Sequence, residues 1–272
     1  MDLNKLTNTA LDLFRQNRTV VAASATVLLL SGAIPLLSRV VSDYRAWYAL
    51  GPNGLPLNLF GYLFQAAASP FARLDTRVPA PYDAEQLSKK YGALTLKSFL
   101  PDPLPPRSGP RPEVPTFVGP QRQTSQQASA EARARQEAFL HAFAAANPAR
   151  VRVRPSNLEG PLFNGLWLED GLPVRGEFRM LRGEFAHPHG EGSTHLVLSL
   201  VDAADAIESG WAERHRMSGV GSLMPWGFVL IYAPRDDAEL EVWKGFVLAS
   251  ARYVLGGETE VVMPKRRMAG DI

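Results

Sequence analysis

The sequence contains no cysteine among its 272 residues, and this absence removes three kinds of chemistry at once. Disulfide frameworks, thiolate metal sites and cysteine nucleophiles are all excluded. Charge is also scarce, since only 21% of the residues are charged and the formal net charge is +2. A protein that binds nucleic acid through its phosphates carries a larger basic excess, so we expect no nucleic-acid partner. With 46% hydrophobic residues, the chain is too apolar to be disordered.

The familiar signatures of catalytic sites are missing as well. There is no HExxH zinc motif, no GxSxG nucleophile elbow, no Walker loop and no GxGxxG ahead of a helix. The cupin pattern HxHxxxxE fails because Ser193 stands where its glutamate would be. Any catalytic chemistry must therefore come from histidine, carboxylate and arginine side chains that no standard motif brings together.

One long uncharged run lies near the N-terminus, from Thr19 to Ser38. Twenty residues of helix span about 30 Å, the thickness of a hydrocarbon core, and Arg18 and Arg39 flank the run. We predict an N-terminal transmembrane helix, which makes the chain a single-pass protein of the endoplasmic reticulum or another endomembrane. A cleaved signal peptide, with Ser31–Ala33 as the cleavage site, and a buried core helix are the alternatives.

The distribution of apolar residues and prolines divides the chain into three predicted segments. Residues 1–41 form the membrane anchor, and residues 42–128 form an aromatic and proline-rich arm packed on the domain that follows. Eight prolines between Pro101 and Pro120 require an extended backbone there. Residues 58–68 are apolar nearly all round, which favours a packed helix over one that lies on a membrane surface.

The third segment, residues 129–272, alternates helical and strand patterns. Helices are predicted at 129–147, 202–214 and 236–255, and strands at 151–154, 177–186, 195–201 and 226–233. Isolated helices between strands, together with hairpin-length links, are typical of the α+β class. We therefore predict an antiparallel sheet with packed helices.

Four of the five histidines lie within a short window, at His187, His189, His195 and His215. Because side chains alternate along a strand, His187 and His189 share one face of an extended segment. The parity of the turn before His195 decides whether that residue joins the same face.

The histidine cluster permits three interpretations. His187, His189 and His195 could ligate a metal. Alternatively, one imidazole acts as a general base without a metal, and Arg214 stabilises an anion beside it. The third interpretation is a set of hydrogen-bonded structural histidines.

Taken in order along the chain, these residues resemble the fungal luciferase family and its luciferase-like relatives. The resemblance covers most of the sequence. Its shared features are Asp43-Tyr44, Gly51-Pro52, Asn58, Gly61-Tyr62, Gln121-Arg122-Gln123, Glu184-x-Ala186-His187-x-His189, Thr194-His195-Leu196, Gly210-Trp211, Arg214-His215, and Trp226 leading to Tyr232-Ala233-Pro234-Arg235.

The resemblance implies an oxidoreductase: a membrane-anchored oxygenase of the monooxygenase type that needs no cofactor and uses molecular oxygen as co-substrate. In the luciferases, a hydroxylated hispidin (a styrylpyrone) reacts with oxygen, forms a high-energy peroxide, loses carbon dioxide and emits light. The expected partners are a small phenolic or hydroxypyrone molecule and, through the N-terminal helix, a membrane.

By position, the resemblance also implies site residues, with no metal ligand among them. The candidate catalytic residues are His187, His189, His195, His215, Arg214 and Glu184, and the candidate substrate-binding residues are Trp211, Trp226 and Tyr232.

One stretch departs from the family pattern. Residues 190–194 are shorter than the corresponding stretch of the luciferases and lack a histidine expected there. The resemblance therefore predicts the domain more strongly than it predicts light emission. Two alternatives to an oxygenase stay open, namely a non-catalytic membrane-anchored binding domain and a histidine–metal enzyme.

Overall fold

The computed structural model of the chain describes residues 7–9, 12, 16–52, 54–221, 223–257 and 261–265. The outermost parts of the predicted first and third segments, 1–6 and 266–272, lie outside the described residues. The chain divides into two compact units, Met1–Ala49 and Leu50–Ile272, which are described in turn.

The first unit contains a long helix, α1, from Arg18 to Tyr48, which runs on through Pro35. None of the helices in the described part of the chain is both long enough and apolar enough to cross a membrane. In α1, Ser24, Thr26 and Ser31 dilute the apolar residues. The predicted transmembrane helix and the single-pass location in an endomembrane are therefore wrong, and the membrane partner predicted from this helix loses its support.

The second unit begins with short helices and an extended arm. Helix α2 spans Leu59–Ala68 and α3 spans Ala84–Tyr91, while short 3₁₀ turns occupy Ser69–Phe71 and Ala93–Leu96. The stretch from Pro101 to Ala128 contains neither helix nor strand, as its prolines require.

Helix α2 is packed on one face only. The Asn58 side chain accepts hydrogen bonds from the backbone N–H groups of Phe60 and Gly61, at 3.0 and 3.2 Å, and so caps the helix start. Tyr62 and Gln65 are buried, whereas the opposite face leaves four large apolar residues more than half exposed: Leu59, Phe60, Leu63 and Phe64.

A six-stranded sheet and three further helices follow in the described residues. The strands are β1 (Val151–Ser156), β2 (Gly160–Leu168), β3 (Glu184–Pro188), β4 (Thr194–Val197), β5 (Ala212–Arg214) and β6 (Phe228–Ile231), and the helices are α4 (Ala130–Ala146), α5 (Leu200–Glu208) and α6 (Asp237–Val254). The strand order is β1-β2-β3-β4-β6-β5, and every neighbouring pair is antiparallel. The predicted α+β class and antiparallel sheet are confirmed.

Some element boundaries differ from the prediction. The strand predicted over 177–186 begins only at Glu184, because Gly176–Leu181 is a 3₁₀ helix that ends at Arg182 and Gly183 with φ of 54° and 94°. Helix α5 begins two residues before the expected Asp202, since the Ser199 hydroxyl accepts a hydrogen bond from the Asp202 N–H at 3.1 Å. Strands β2 and β5 were not predicted.

The helices pack on one face of the sheet. Trp243 on α6 donates a hydrogen bond from Nε1 to Thr194 Oγ1 at 2.8 Å, and Ala186, Leu196 and Val229 are buried in the same core. The burial of this apolar face supplies the main favourable free energy of folding. Residues of the 54–121 region lie beside the other face of strands β3, β4 and β6, and this arrangement encloses the candidate site.

Candidate functional site

Three histidines meet on the sheet face that lies away from the helices. His187 on β3 pairs directly with His195 on β4, which in turn pairs with Leu230 on β6. His215 follows β5 and donates its backbone N–H to the carbonyl of Phe228 at 3.0 Å. Directly paired residues share a face and alternate residues return to it, so the three imidazoles converge.

These three histidines line a cavity of about 350 Å³. That volume falls within the range of about 300–1,000 Å³ typical of small-molecule sites. The remaining walls are mostly apolar: Gly54, Leu55, Phe64, Gln65, Val118, Gly119, Pro120, Gln121, Asn157, Leu158, Glu159, Met217, Met224 and Phe228. The cavity therefore combines an apolar interior with a few polar groups, the composition typical of small-molecule sites.

The hairpin between β3 and β4 determines the place of the fourth histidine. His189 stands opposite Ser193 and donates its backbone N–H to the Ser193 carbonyl at 2.8 Å. The register thus pairs His195 with His187, not with His189. The His189 ring is 4.8 Å from the His195 ring, centroid to centroid, and 5.4 Å from that of His187, but His189 is not among the residues that line the cavity.

A β-bulge brings Glu184 to His187. Leu166 pairs with Ala186 and Trp167 pairs with Glu184, so Phe185 is an extra residue without a partner on β2. An extra residue shifts the alternation by one, which places the Glu184 carboxylate beside the ring three residues later. Glu184 Oε1 lies 2.8 Å from His187 Nδ1.

The same carboxylate is held firmly on its other side. Ser156 donates its hydroxyl to Glu184 Oε1 at 2.5 Å, and Asn157 donates its backbone N–H to Oε2 at 2.9 Å. Both Glu184 and His187 are buried. An ionised carboxylate only accepts hydrogen bonds, so the proton of a neutral His187 belongs on Nδ1 and its Nε2 carries a lone pair.

His195 and His215 have opposite tautomers. His195 Nδ1 lies 3.3 Å from the Val229 carbonyl, which can only accept, so Nδ1 carries the proton and Nε2 carries the lone pair. His215 Nδ1 accepts the backbone N–H of Met217 at 3.0 Å, so its proton resides on Nε2.

Both of these rings stay neutral. Burial, reinforced by the neighbouring histidines, lowers the pKa of His195 well below its usual value. Burial, together with His187 and His189, lowers the pKa of His215 to about 3. The cavity therefore offers a hydrogen-bond acceptor at His195 Nε2 and a hydrogen-bond donor at His215 Nε2.

His189 is the charged member of the group. Its Nδ1 contacts Ser193 Oγ at 2.9 Å, and Ser193 in turn donates its hydroxyl to Glu191. Its Nε2 lies 3.3 Å from Glu159 Oε1, an ion-pair contact without hydrogen-bond alignment. Although burial alone lowers the pKa of His189, the carboxylates of Glu159 and Glu191 raise it to about 9.

Glu159 balances that charge. Burial raises the pKa of its carboxyl, but His189 and Arg122 outweigh burial and bring the pKa down to about 2. Arg122 forms a salt bridge with Glu159 and donates to the carbonyls of Leu50 and Pro52, at 2.9 and 2.7 Å. The arm residue Arg122 therefore connects the N-terminal loop of the second unit to the charged layer behind the histidines.

The structure places the other sequence-predicted residues away from this cavity. Arg214 points to the opposite face of the sheet, where it donates to the carbonyls of Trp226, Val78 and Pro79 at 3.1, 3.1 and 3.0 Å. Trp211 donates Nε1–H to the Pro105 carbonyl at 2.6 Å, and Tyr232 donates its hydroxyl to Glu213 at 3.1 Å.

Trp226 lines a separate cavity of about 230 Å³. Of the nine predicted site residues, the structure thus brings together five: Glu184, His187, His189, His195 and His215.

Several residues of the site were not predicted. Glu159 and Phe228 belong to no spacing pattern that the sequence reveals, and Phe228 stacks on His195 at 4.9 Å between ring centroids. Gln121 was noted only as part of Gln121–Gln123. The one signal in the sequence is the run of three large polar residues directly after the prolines, and the structure shows all three of them buried.

One trio of side chains has the composition of a metal site. Glu159, His187 and His189 each offer one ligand atom, and these atoms lie within 4.8 Å of one another. Two imidazoles and one carboxylate suit a divalent transition metal. Glu159 is already paired with Arg122, whereas His187 contacts Glu184 through Nδ1 and keeps Nε2 open, as a metal-binding histidine does.

Comparison with known proteins identifies the relatives of this chain. A family model described as the luciferase domain matches residues 182–250, which include β3, β4 and all four buried histidines. The luciferase of Armillaria ostoyae is 30% identical over 260 residues, covering 88% of this chain and 90% of that protein. The luciferase of Neonothopanus nambi is 28% identical over 252 residues, covering 88% of each. No solved structure matches the chain.

Proposed function

The chain belongs to the fungal luciferase family, and from this premise we propose that it is a luciferase-like oxygenase. Its proposed substrate is a phenolic or hydroxypyrone molecule, which it oxidises with molecular oxygen and without a cofactor. The observation that carries the proposal is the convergence of His187, His195 and His215 on one largely apolar cavity. Each ring has its Nδ1 engaged by the protein, which leaves Nε2 for the ligand.

In this proposal the three histidines have different roles. His187 accepts the proton of the substrate hydroxyl on Nε2, because the Glu184 carboxylate at Nδ1 stabilises the resulting imidazolium. His215 donates Nε2–H to the oxyanion that forms. His195 offers its Nε2 lone pair to a hydrogen-bond donor of the ligand, while His189 lies behind the cavity with its charge balanced by Glu159.

The anion is the species that reacts with oxygen. Deprotonation raises the electron density of the ring, so that the anion can give an electron to O₂ and combine with the reduced oxygen to form a peroxide. Both oxygen atoms of O₂ enter that peroxide. Subsequent cleavage of the peroxide O–O bond and loss of the lactone carbonyl carbon as CO₂ leave a product with one carbon fewer than the substrate and the same number of oxygen atoms. Light emission is a separate property and is not part of the proposal.

Oxygen uptake with hydroxypyrones tests the proposed function. We expect the wild-type protein to consume O₂ with such a substrate, and His187→Gln to lose roughly 10²- to 10⁴-fold in rate, the usual contribution of a general base. His141→Gln is the matched control, because His141 is the exposed fifth histidine on α4 and its replacement leaves the rate unchanged. A luminometer reading in parallel reports light emission.

Two outcomes would overturn the proposal. If no hydroxypyrone supports oxygen uptake, the proposed oxygenase is rejected in favour of the non-catalytic binding protein. If the wild-type protein and His187→Gln consume oxygen at equal rates, His187 is not the general base.

A second candidate function rests on Glu159, His187 and His189. If these residues hold a metal, the protein is a histidine–metal enzyme. Elemental analysis of protein prepared without a histidine tag distinguishes the two. A metal content near one equivalent that disappears in His189→Gln supports the metal enzyme, whereas a negligible content supports the cofactor-independent oxygenase.

A further inference from the structure

Gln121 is a buried amide on the wall of the histidine cavity. Only 1% of the residue is exposed, and it is one of the residues that line the cavity. Its Nε2 donates two hydrogen bonds, to Glu213 Oε1 and to the Arg214 carbonyl, both at 3.1 Å. Its Oε1 is buried and has no hydrogen-bond partner among the described residues.

The orientation of this amide is fixed by its neighbours. The Glu213 carboxylate and the Arg214 carbonyl only accept hydrogen bonds, so the NH₂ group must face them and the oxygen must point away. Glu213 is itself held, because Arg77 Nε and the Tyr232 hydroxyl donate to its Oε2 at 3.0 and 3.1 Å. Rotation of the amide would place oxygen against oxygen.

The other glutamine on the cavity wall shows the contrast. Gln65 Oε1 accepts the backbone N–H of Val118 at 3.4 Å, so its oxygen is satisfied within the protein. A buried carbonyl without a donor costs about 1–3 kcal/mol, and such exceptions in native proteins need an explanation. A ligand hydroxyl in the cavity supplies the missing donor for Gln121.

We propose that Gln121 Oε1 accepts a hydrogen bond from a second hydroxyl group of the substrate and so determines specificity for dihydroxylated aromatic rings. The inference rests on the proposed function, because it takes the histidine cavity as the substrate site. Gln121 is neutral and cannot accept the proton itself, so the hydroxyl bound there stays protonated. The hydroxyl that ionises is a different one and faces His187.

Binding without oxygen separates this inference from the proposed function. The probes are 2,3- and 2,7-dihydroxynaphthalene, each compared with its monomethyl ether, under anaerobic conditions and at a pH where the hydroxyls are protonated. Both diols are symmetric, so methylation of either hydroxyl gives the same ether. We expect the wild-type protein to prefer at least one diol over its ether by about tenfold or more, since the ether leaves an acceptor without a donor.

Three variants make the test specific. Gln121→Met removes the acceptor at similar volume, and we expect it to bind the preferred diol and its ether within about threefold. Gln121→Asn shortens the side chain by one carbon and so moves the acceptor oxygen away from the ligand. It serves as the test variant if Gln121→Met does not fold. Arg77→Gln removes a donor to the same Glu213 carboxylate but keeps the Gln121 acceptor, so the wild-type preference remains.

Each result has one meaning. A preference that Gln121→Met retains overturns the inference, and so does equal binding of diols and ethers by the wild-type protein. A preference that depends on Gln121, in a protein that consumes no oxygen with any substrate, supports the inference and rejects the proposed oxygenase.

Discussion

Four imidazoles within one small region differ because the protein groups that contact their ring nitrogens differ. A carboxylate faces His187, a backbone carbonyl faces His195, and a backbone N–H faces His215. Two carboxylates surround His189 and keep it charged. The result is two nitrogens that accept a hydrogen bond, one nitrogen that donates a hydrogen bond, and one cation. No composition or spacing argument could assign these states, because the partners of His195 and His215 are backbone groups and Glu159 comes from a distant part of the chain.

The charged pair of His189 and Glu159 makes stability depend on pH. The pKa of His189 is raised from 6.5 to about 9 in the folded protein, so its stabilising contribution is complete below about pH 6.5 and is lost as the pH rises through about 9. The pKa of Glu159 is lowered to about 2, so its contribution is complete above about pH 4.5 and is lost as the pH falls through about 2. The pair therefore stabilises the fold most between about pH 4.5 and pH 6.5, where both contributions are complete.

Urea unfolding between pH 6 and pH 9.5 checks the contribution of His189. We expect His189→Gln to lower the free energy of unfolding by roughly 3–5 kcal/mol at pH 6, the cost of breaking a buried ion pair. The difference from the wild-type protein should shrink as the pH approaches 9.5. A difference that stays constant over this range contradicts a charged His189, and His141→Gln should follow the wild-type curve throughout.

At the scale of elements, one bulge and one hairpin determine the site. The extra residue Phe185 turns Glu184 towards His187, and the five-residue turn between β3 and β4 pairs His187 with His195. The sequence identified the parity of this turn as the deciding variable, but not the pairing that results. The sequence could not reveal the bulge, because a single extra residue produces no recognisable periodicity in the spacing of apolar residues.

Gly165 on β2 provides a test of the bulge. A Cβ atom at this position would lie 3.0 Å from Glu184 Oε1 and 3.1 Å from the Ala186 carbonyl. We expect Gly165→Ala to destabilise the protein by about 1–3 kcal/mol, as overpacking does, and to reduce oxygen uptake by displacing Glu184 from His187. Thermal unfolding and the uptake assay measure the two effects.

Gly176→Ala is the matched control for Gly165→Ala. Nothing lies within 4 Å of the Cβ atom that it adds, so stability and oxygen uptake should stay at wild-type values. Unchanged uptake in a folded Gly165→Ala protein would contradict the positioning role of Glu184.

At the scale of the whole molecule, the second unit carries the site between two layers. Helices cover one face of the sheet, and residues of the region from Gly54 to Gln121 enclose the other. The sequence predicted the class of the fold and the histidine cluster, since periodicity and residue counts are local properties. It failed at the N-terminus because the run from Thr19 to Ser38 in α1, although uncharged, is not apolar enough to cross a membrane. It did not predict that Arg214 faces away from the histidines, because that depends on the register of β5.

The most direct measurement of the central claim is the ionisation of a bound hydroxypyrone without oxygen. If His187 is the base of this cavity, the absorbance spectrum of the ligand should shift to that of its anion at a lower pH when it is bound to the wild-type protein than when it is free. In His187→Gln the shift between the bound and the free ligand should be clearly smaller, because only the His215 donor remains to stabilise the anion. An equal shift in both proteins would contradict the account.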